Sequence, residues 1–117
     1  MKTERQRAGF AAEEFAAHYL EGRGLAIVER NYRCRGGEID LIARDGDALV
    51  FVEVRLRRSD FFGGARASVD AQKQRRILLA ARHYLAGRPS QSCRCDVVVL
   101  DRLDPSSIEW IRDAFGE

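Results

Sequence analysis

The chain predicts an α/β domain, a mixed sheet of about five strands flanked by helices. Three observations lead there. Apolar residues recur with helical period over residues 3–21 and 68–86. Between and after these stretches lie short runs rich in valine, isoleucine, leucine and phenylalanine, with the length and composition of strands. The connections joining the first three runs are only a few residues long, which makes those runs antiparallel neighbours, whereas the fourth is reached through a whole helix. A crossover of that kind brings a strand back in parallel. At 117 residues the chain suffices for one two-layer core, so residues 1–117 are expected to form a single domain.

The first helix covers residues 3–21. Thr3 with Gln6 three positions on has the form of a capping box, and Arg23-Gly24 supplies the stop. Ala8, Ala11, Ala12, Phe15, Ala16 and Tyr19 make its apolar stripe. Glu13 sits on the margin of that stripe, beside Ala16, Ala17 and Leu20, and is the acid able to lean toward a sheet. Glu14, beside His18 and Glu21, faces solvent. The first strand spans 25–32, and Arg35-Gly36-Gly37 turns the chain into a hairpin of strands 37–44 and 49–57. Residues 58–65 have no periodicity; they read as a mobile loop whose Phe61 and Phe62 could stack on bases or cover the core.

The second helix, 68–86, ends at Gly87 and Pro89 and buries Ile77, Ala80, Ala81 and Tyr84. Lys73 stands in the same row one turn before Ile77, so it points toward the sheet. Arg75, Arg76 and Arg82 fan out nearer solvent. The run 93–100 ends in four apolar residues, as a strand covered on both faces does. Asp104-Pro105-Ser106-Ser107 forms a turn, and 108–112 reads as a final edge strand.

Composition narrows the function. No apolar run is long enough to cross a bilayer, and no hydrophobic segment follows the first residues, so a cytoplasmic protein without a secretory signal or membrane partner is expected. Cys34, Cys93 and Cys95 fit a reducing compartment and lack the paired spacing of zinc sites, which leaves packing as their role. His18 and His83 stand alone, and neither a Ser-His-Asp grouping nor a phosphate-cradling glycine motif occurs. Charge is unevenly spread. Ten basic residues lie between Arg55 and Arg94 against Asp60 and Asp70, while the rest of the chain is acidic. Arginine supplies eighteen of the twenty cations, and its planar fork suits phosphate oxygens.

The chemistry concentrates in the hairpin. Glu38 and Asp40 share one strand face, as do Glu53 and Arg55, because side chains alternate with period two. If the turn Asp45-Gly46-Asp47 is centred between Gly46 and Asp47, Asp40 comes opposite Glu53 and Glu38 opposite Arg55. A slip of one residue would send the acids to opposite faces. Two facing carboxylates repel, and a hard divalent cation such as Mg²⁺ would relieve them. The plainer alternative, favoured by spacing alone, is a solvated face on which Glu38 pairs with Arg55 and the other acids meet water.

Gly9-x-x-x-Glu13-x-x-Ala16-x-x-Tyr19-Leu20, Arg30-Asn31-Tyr32-Arg33, Gly37-Glu38-Ile39-Asp40-Leu41-Ile42, Phe51-Val52-Glu53-Val54-Arg55-x-Arg57, Lys73-Gln74-x-Arg76-Ile77, Asp96-Val97-Val98 and Ile108-Glu109-Trp110-Ile111-x-x-Ala114-Phe115 together resemble the bacterial YraN family nearly end to end. That family is similar to Holliday-junction resolvases and belongs to the PD-(D/E)XK, restriction-endonuclease-like superfamily. The resemblance implies a restriction-endonuclease-like fold. It also implies a Mg²⁺- or Mn²⁺-dependent endonuclease acting on structured or branched DNA, and a possible homodimer by analogy. Asp40 and Glu53 match the metal-binding acids, assisted by Glu13 and the Val54 carbonyl. Arg55 occupies the place of the superfamily's E-x-K lysine, and Lys73 on the second helix is the substitute, with Gln72 or Gln74 nearby. Arg55, Arg57, Arg75 and Arg76 would hold phosphates. The rival expectation is a nucleic-acid-binding protein that kept this fold without the chemistry.

Overall fold

The structure, a computed structural model, describes residues 3–57 and 69–116. The stretch 58–65, with Phe61 and Phe62, lies outside the described residues. The elements run α1 (Glu4–Gly22), β1 (Ala26–Cys34), β2 (Gly37–Asp45), β3 (Ala48–Leu56), α2 (Ala71–Leu85), β4 (Cys93–Leu100) and β5 (Ile108–Phe115). The strands form one sheet in chain order. β1, β2 and β3 are antiparallel, β4 joins β3 in parallel, and β5 closes the edge antiparallel to β4. This is the mixed α/β sheet that the spacing of apolar runs predicts, with a helix on each face.

Local chemistry explains the ends. The Thr3 hydroxyl accepts the Gln6 N–H at 3.1 Å, and the Gln6 side-chain oxygen accepts the Thr3 N–H at 2.9 Å, completing the capping box. α2 begins at Ala71, later than the expected 68, because the Asp70 carboxylate caps it by accepting the Lys73 N–H at 2.8 Å. β5 runs on to Phe115, beyond the expected 112, because a fully buried acid on β4 pins it. Asp96 accepts from the Trp110 indole N–H and the Asp113 N–H, both at 2.9 Å.

Each helix seals its own core. Ala12, Ala16, Ala17 and Leu20 of α1 pack on Leu41, Ala43, Val50, Val52, Val98 and Leu100. Ile77, Ala80 and Ala81 of α2 pack on Ile39, Ile42, Leu49, Phe51, Val97 and Val99. The buried stripe of α1 thus includes Ala17 and Leu20, one step nearer Glu13 than the stripe expected from spacing. Ile39 and Leu41 are two apart yet serve opposite cores, whereas residues two apart in a regular strand share a face. The alternation of β2 therefore breaks at Asp40. Among the described residues no helix is long and apolar enough to cross a membrane.

Gly37 sets how closely α2 lies on β2. A methyl group there would stand 2.4 Å from the Arg76 carbonyl oxygen and 3.0 Å from the Ala80 nitrogen. Gly37→Ala is expected to lower stability by about 1–3 kcal/mol through overpacking. Gly22→Ala, whose added methyl meets nothing within 4 Å, is the control and should not destabilise. Urea denaturation of the two variants beside the unsubstituted chain checks this, and equal midpoints for both variants would contradict the tight approach.

Candidate functional site

The β2–β3 pairing runs from Asp45 opposite Ala48 to Leu41 opposite Val52. This is the register expected from a turn centred between Gly46 and Asp47. The ladder stops one residue short of Asp40 and Glu53, however, so the two acids are not a regular cross-strand pair. They stand where the strands part. The Val54 N–H, which a β2 carbonyl would otherwise accept, donates to Asp40 Oδ2 at 2.8 Å.

Glu53 continues the alternation of β3 onto the α2 face, where only 2% of it is exposed. Lys73 Nζ, arriving from α2, lies 3.3 Å from Glu53 Oε2. Arg55 Nη1 lies 3.6 Å from the same oxygen. Burial pushes the Glu53 carboxyl up to about 8, helped by the charge of Asp40 and a hydrogen bond shared with it, while Lys73 and Arg55 pull the other way. The solvated face with a Glu38–Arg55 pair is not what forms. Glu38 instead meets Arg33 at 3.5 Å and Arg76 at 3.9 Å, because Arg55 turns to the buried acid.

Glu13 approaches from the opposite face on α1. Its carboxyl is raised to about 7, chiefly by burial and then by the charges of Asp40 and Glu38, against the Asn31 hydrogen bond and the Arg33 charge, which lower it. Asn31 holds this position with a left-handed backbone, φ 52°. The sequence reading gave Asn31 no role, although an asparagine inside a strand, one of the few residue types at ease at positive φ, was the available signal.

Among the described residues no three histidine, cysteine, aspartate or glutamate side chains converge as a ready cation shell. The donor set still fits a hard cation. Asp40 and Glu53, whose carboxyl is raised to about 8, could exchange that proton for a divalent ion, which would supply Lewis-acid chemistry there.

The basic block divides. Arg75 and Arg76 lie exposed on α2. Arg57 is tied to Asp101 at 2.8 Å, Arg94 to Asp96 and Asp45, each at 3.0 Å, and Arg88 lies over the Tyr84 ring. The Gln74 amide is engaged with the Val69 carbonyl at 3.0 Å, while Gln72 is exposed. His83 contacts the Tyr32 hydroxyl, and His18 lies 3.7 Å from Glu21. Cys34, Cys93 and Cys95 form no disulfide.

The model of "Uncharacterised protein family UPF0102" matches residues 12–100, from α1 to the end of β4. A UPF0102 protein of Dechloromonas aromatica is 58% identical over 92% of this chain and 88% of its own. One from Nitrosomonas europaea is 54% identical over 93% of both chains. Another from Cupriavidus metallidurans is 57% identical over 93% of this chain and 81% of its own.

The burial of Glu53 ties stability to pH. Below its ordinary pKa of 4.5 the carboxyl is protonated in folded and unfolded chains alike. Between there and about 8 the unfolded chain loses its proton first, so stability falls as pH rises. Glu53→Gln is therefore expected to gain on the unsubstituted chain as pH rises through that window. Urea unfolding in EDTA at pH 5 and pH 8 reads the gain, and a difference that does not change with pH would refute it.

Proposed function

The chain belongs to the UPF0102 (YraN) family, and we propose that it is a metal-dependent endonuclease hydrolysing phosphodiester bonds in structured or branched DNA. One observation carries the reading: a buried glutamate with raised pKa stands beside an aspartate where two strands part, under a lysine from the facing helix. Perturbed acids of this kind, costly to bury, cluster at reactive sites.

Asp40 and Glu53 would hold Mg²⁺ or Mn²⁺, with the Val54 carbonyl beside them and Glu13 facing Asp40 from α1. When bound, such an ion acidifies water and offsets phosphate charge. Lys73 directs its ammonium at the phosphate oxygen on which charge builds. Arg55, with its planar fork, suits holding a phosphate, which leaves the place of the superfamily's lysine to Lys73. Arg75 and Arg76 meet flanking phosphates, and Arg57 reaches one only by releasing Asp101. The working partner is DNA in the cytoplasm, and a homodimer would present two such pockets to a symmetric branch.

A second reading has its own observation. Glu53 already has two cationic neighbours, which suits a DNA-binding protein that does not cut. Cleavage of a four-way DNA junction in Mg²⁺ or Mn²⁺ separates the two. The nuclease reading expects cutting that Asp40→Ala and Glu53→Ala abolish and Lys73→Ala slows by about 10²–10³-fold. The binding reading expects no cutting and salt-sensitive affinity that the acid substitutions leave unchanged or improve. Mn²⁺ should also raise the melting temperature of the unsubstituted chain but not of Asp40→Asn. No shift in either, with no cutting, would remove the enzyme.

A further inference from the structure

Two breaks in neighbouring strands fall at one level of the sheet. The β1–β2 ladder couples Arg30 with Leu41 and Tyr32 with Ile39, and passes over Asn31 and Asp40 between them. Asn31 has a left-handed backbone, φ 52°. Side chains of a regular strand alternate, yet Arg30 and Asn31, consecutive in β1, both engage α1. Arg30 pairs with Glu14, and Asn31 hydrogen-bonds the adjacent Glu13. Tyr32 then returns to the other face and packs with the α2 core. The positive φ accounts for two successive side chains turning to one helix.

Protection of the sheet edge does not explain this break. β1 is an edge strand, and a bulge blunts such an edge, but its register already shifts between Ile27 and Glu29. Conformation alone does not explain the residue either. Glycine takes a positive φ without the strain asparagine carries, so a purely backbone need would be met better with no side chain. What asparagine adds is the carboxamide, and the carboxamide goes to Glu13.

Glu13 has reason to need that partner. It is half-buried, lies in the wall of an open groove shared with Asn31 and Arg33, and is repelled by Asp40 and Glu38. An untethered glutamate so placed turns toward water and away from like charge. An amide N–H donated to one of its oxygens holds it at the sheet. We propose that Asn31 is a positioning residue of the candidate site, holding the Glu13 carboxyl beside Asp40 so that a divalent cation at Asp40 and Glu53 also meets Glu13. The inference rests on the nuclease reading for the cation. It deepens that reading by making metal affinity depend on a neutral β1 side chain that acts only through Glu13.

Asn31→Gly is the informative substitution, because it keeps the left-handed backbone and removes the amide. In EDTA it is expected to melt close to the unsubstituted chain, since relief of strain offsets the added freedom of the unfolded state. Mn²⁺ is titrated into each full chain well below its melting temperature, with the free ion read by electron paramagnetic resonance. Asn31→Gly should bind it about tenfold more weakly. In a Glu13→Gln background, itself weakened, Asn31→Gly should cost nothing further. Unchanged affinity in Asn31→Gly, whatever its melting temperature, or a tenfold loss that persists beside Glu13→Gln, overturns the assignment. Cleavage of the four-way junction, followed in parallel, keeps the two proposals apart. A coupled loss of affinity in a chain that never cuts supports Asn31 and sinks hydrolysis. Cutting with unchanged affinity in Asn31→Gly does the reverse, and a chain that takes up no Mn²⁺ loses both.

Discussion

The Asp40 carboxylate accepting the Val54 N–H is the contact on which the remaining architecture turns. A side chain there does the work of a strand carbonyl, so the ladder can end at Leu41 and Val52 without leaving a donor unpaired in a half-buried place. The same irregularity lets Ile39 face α2 while Leu41 faces α1. Both helices are thus seated by one break in a strand. Each then delivers a charged residue to it, Glu13 from one face and Lys73 from the other.

Most of the scaffold was legible because it is written in periodicity. Helical and alternating patterns gave the two helices, the antiparallel hairpin with its register, the parallel return of β4, and Lys73 pointing inward. What was not legible depends on partners distant in the chain. Nothing local says that Asp101 claims Arg57, or that Asp45 and Asp96 claim Arg94, so the basic block looked continuous when it is not. Asp96 reads as an ordinary acid until Trp110 and Asp113 fold over it and lengthen β5. The break at Asp40 was hidden for the same reason, since it settles a contest between two cores that no single strand pattern records.

Energetics argue that the acidic pocket was not built for stability. Burying a carboxyl is costly, and a charged neighbour recovers only part of that cost unless the geometry is very good. At 3.3 and 3.6 Å, Lys73 and Arg55 are close but beyond ideal charge-assisted hydrogen bonds, and Glu53 keeps its raised pKa despite them. A leucine or methionine would fill such a position at less expense. Groups retained against the interest of the fold are those with a task in the native state.

On the proposed nuclease reading, the same geometry would let lysine and arginine exchange places between elements. A transition state on phosphate needs one mobile positive charge at a given point, and it is indifferent to the element that carries the side chain. On β3 the residue two beyond Glu53 shares its face, and on α2 the first turn overhangs that face, so both reach the same carboxylate oxygen. An arginine from the strand offers a planar fork suited to holding; a lysine from the helix is a compact point charge on a flexible stem. On the proposed nuclease reading, Arg55 in the strand would be no loss of chemistry so long as Lys73 stays where Gly37 allows α2 to lie.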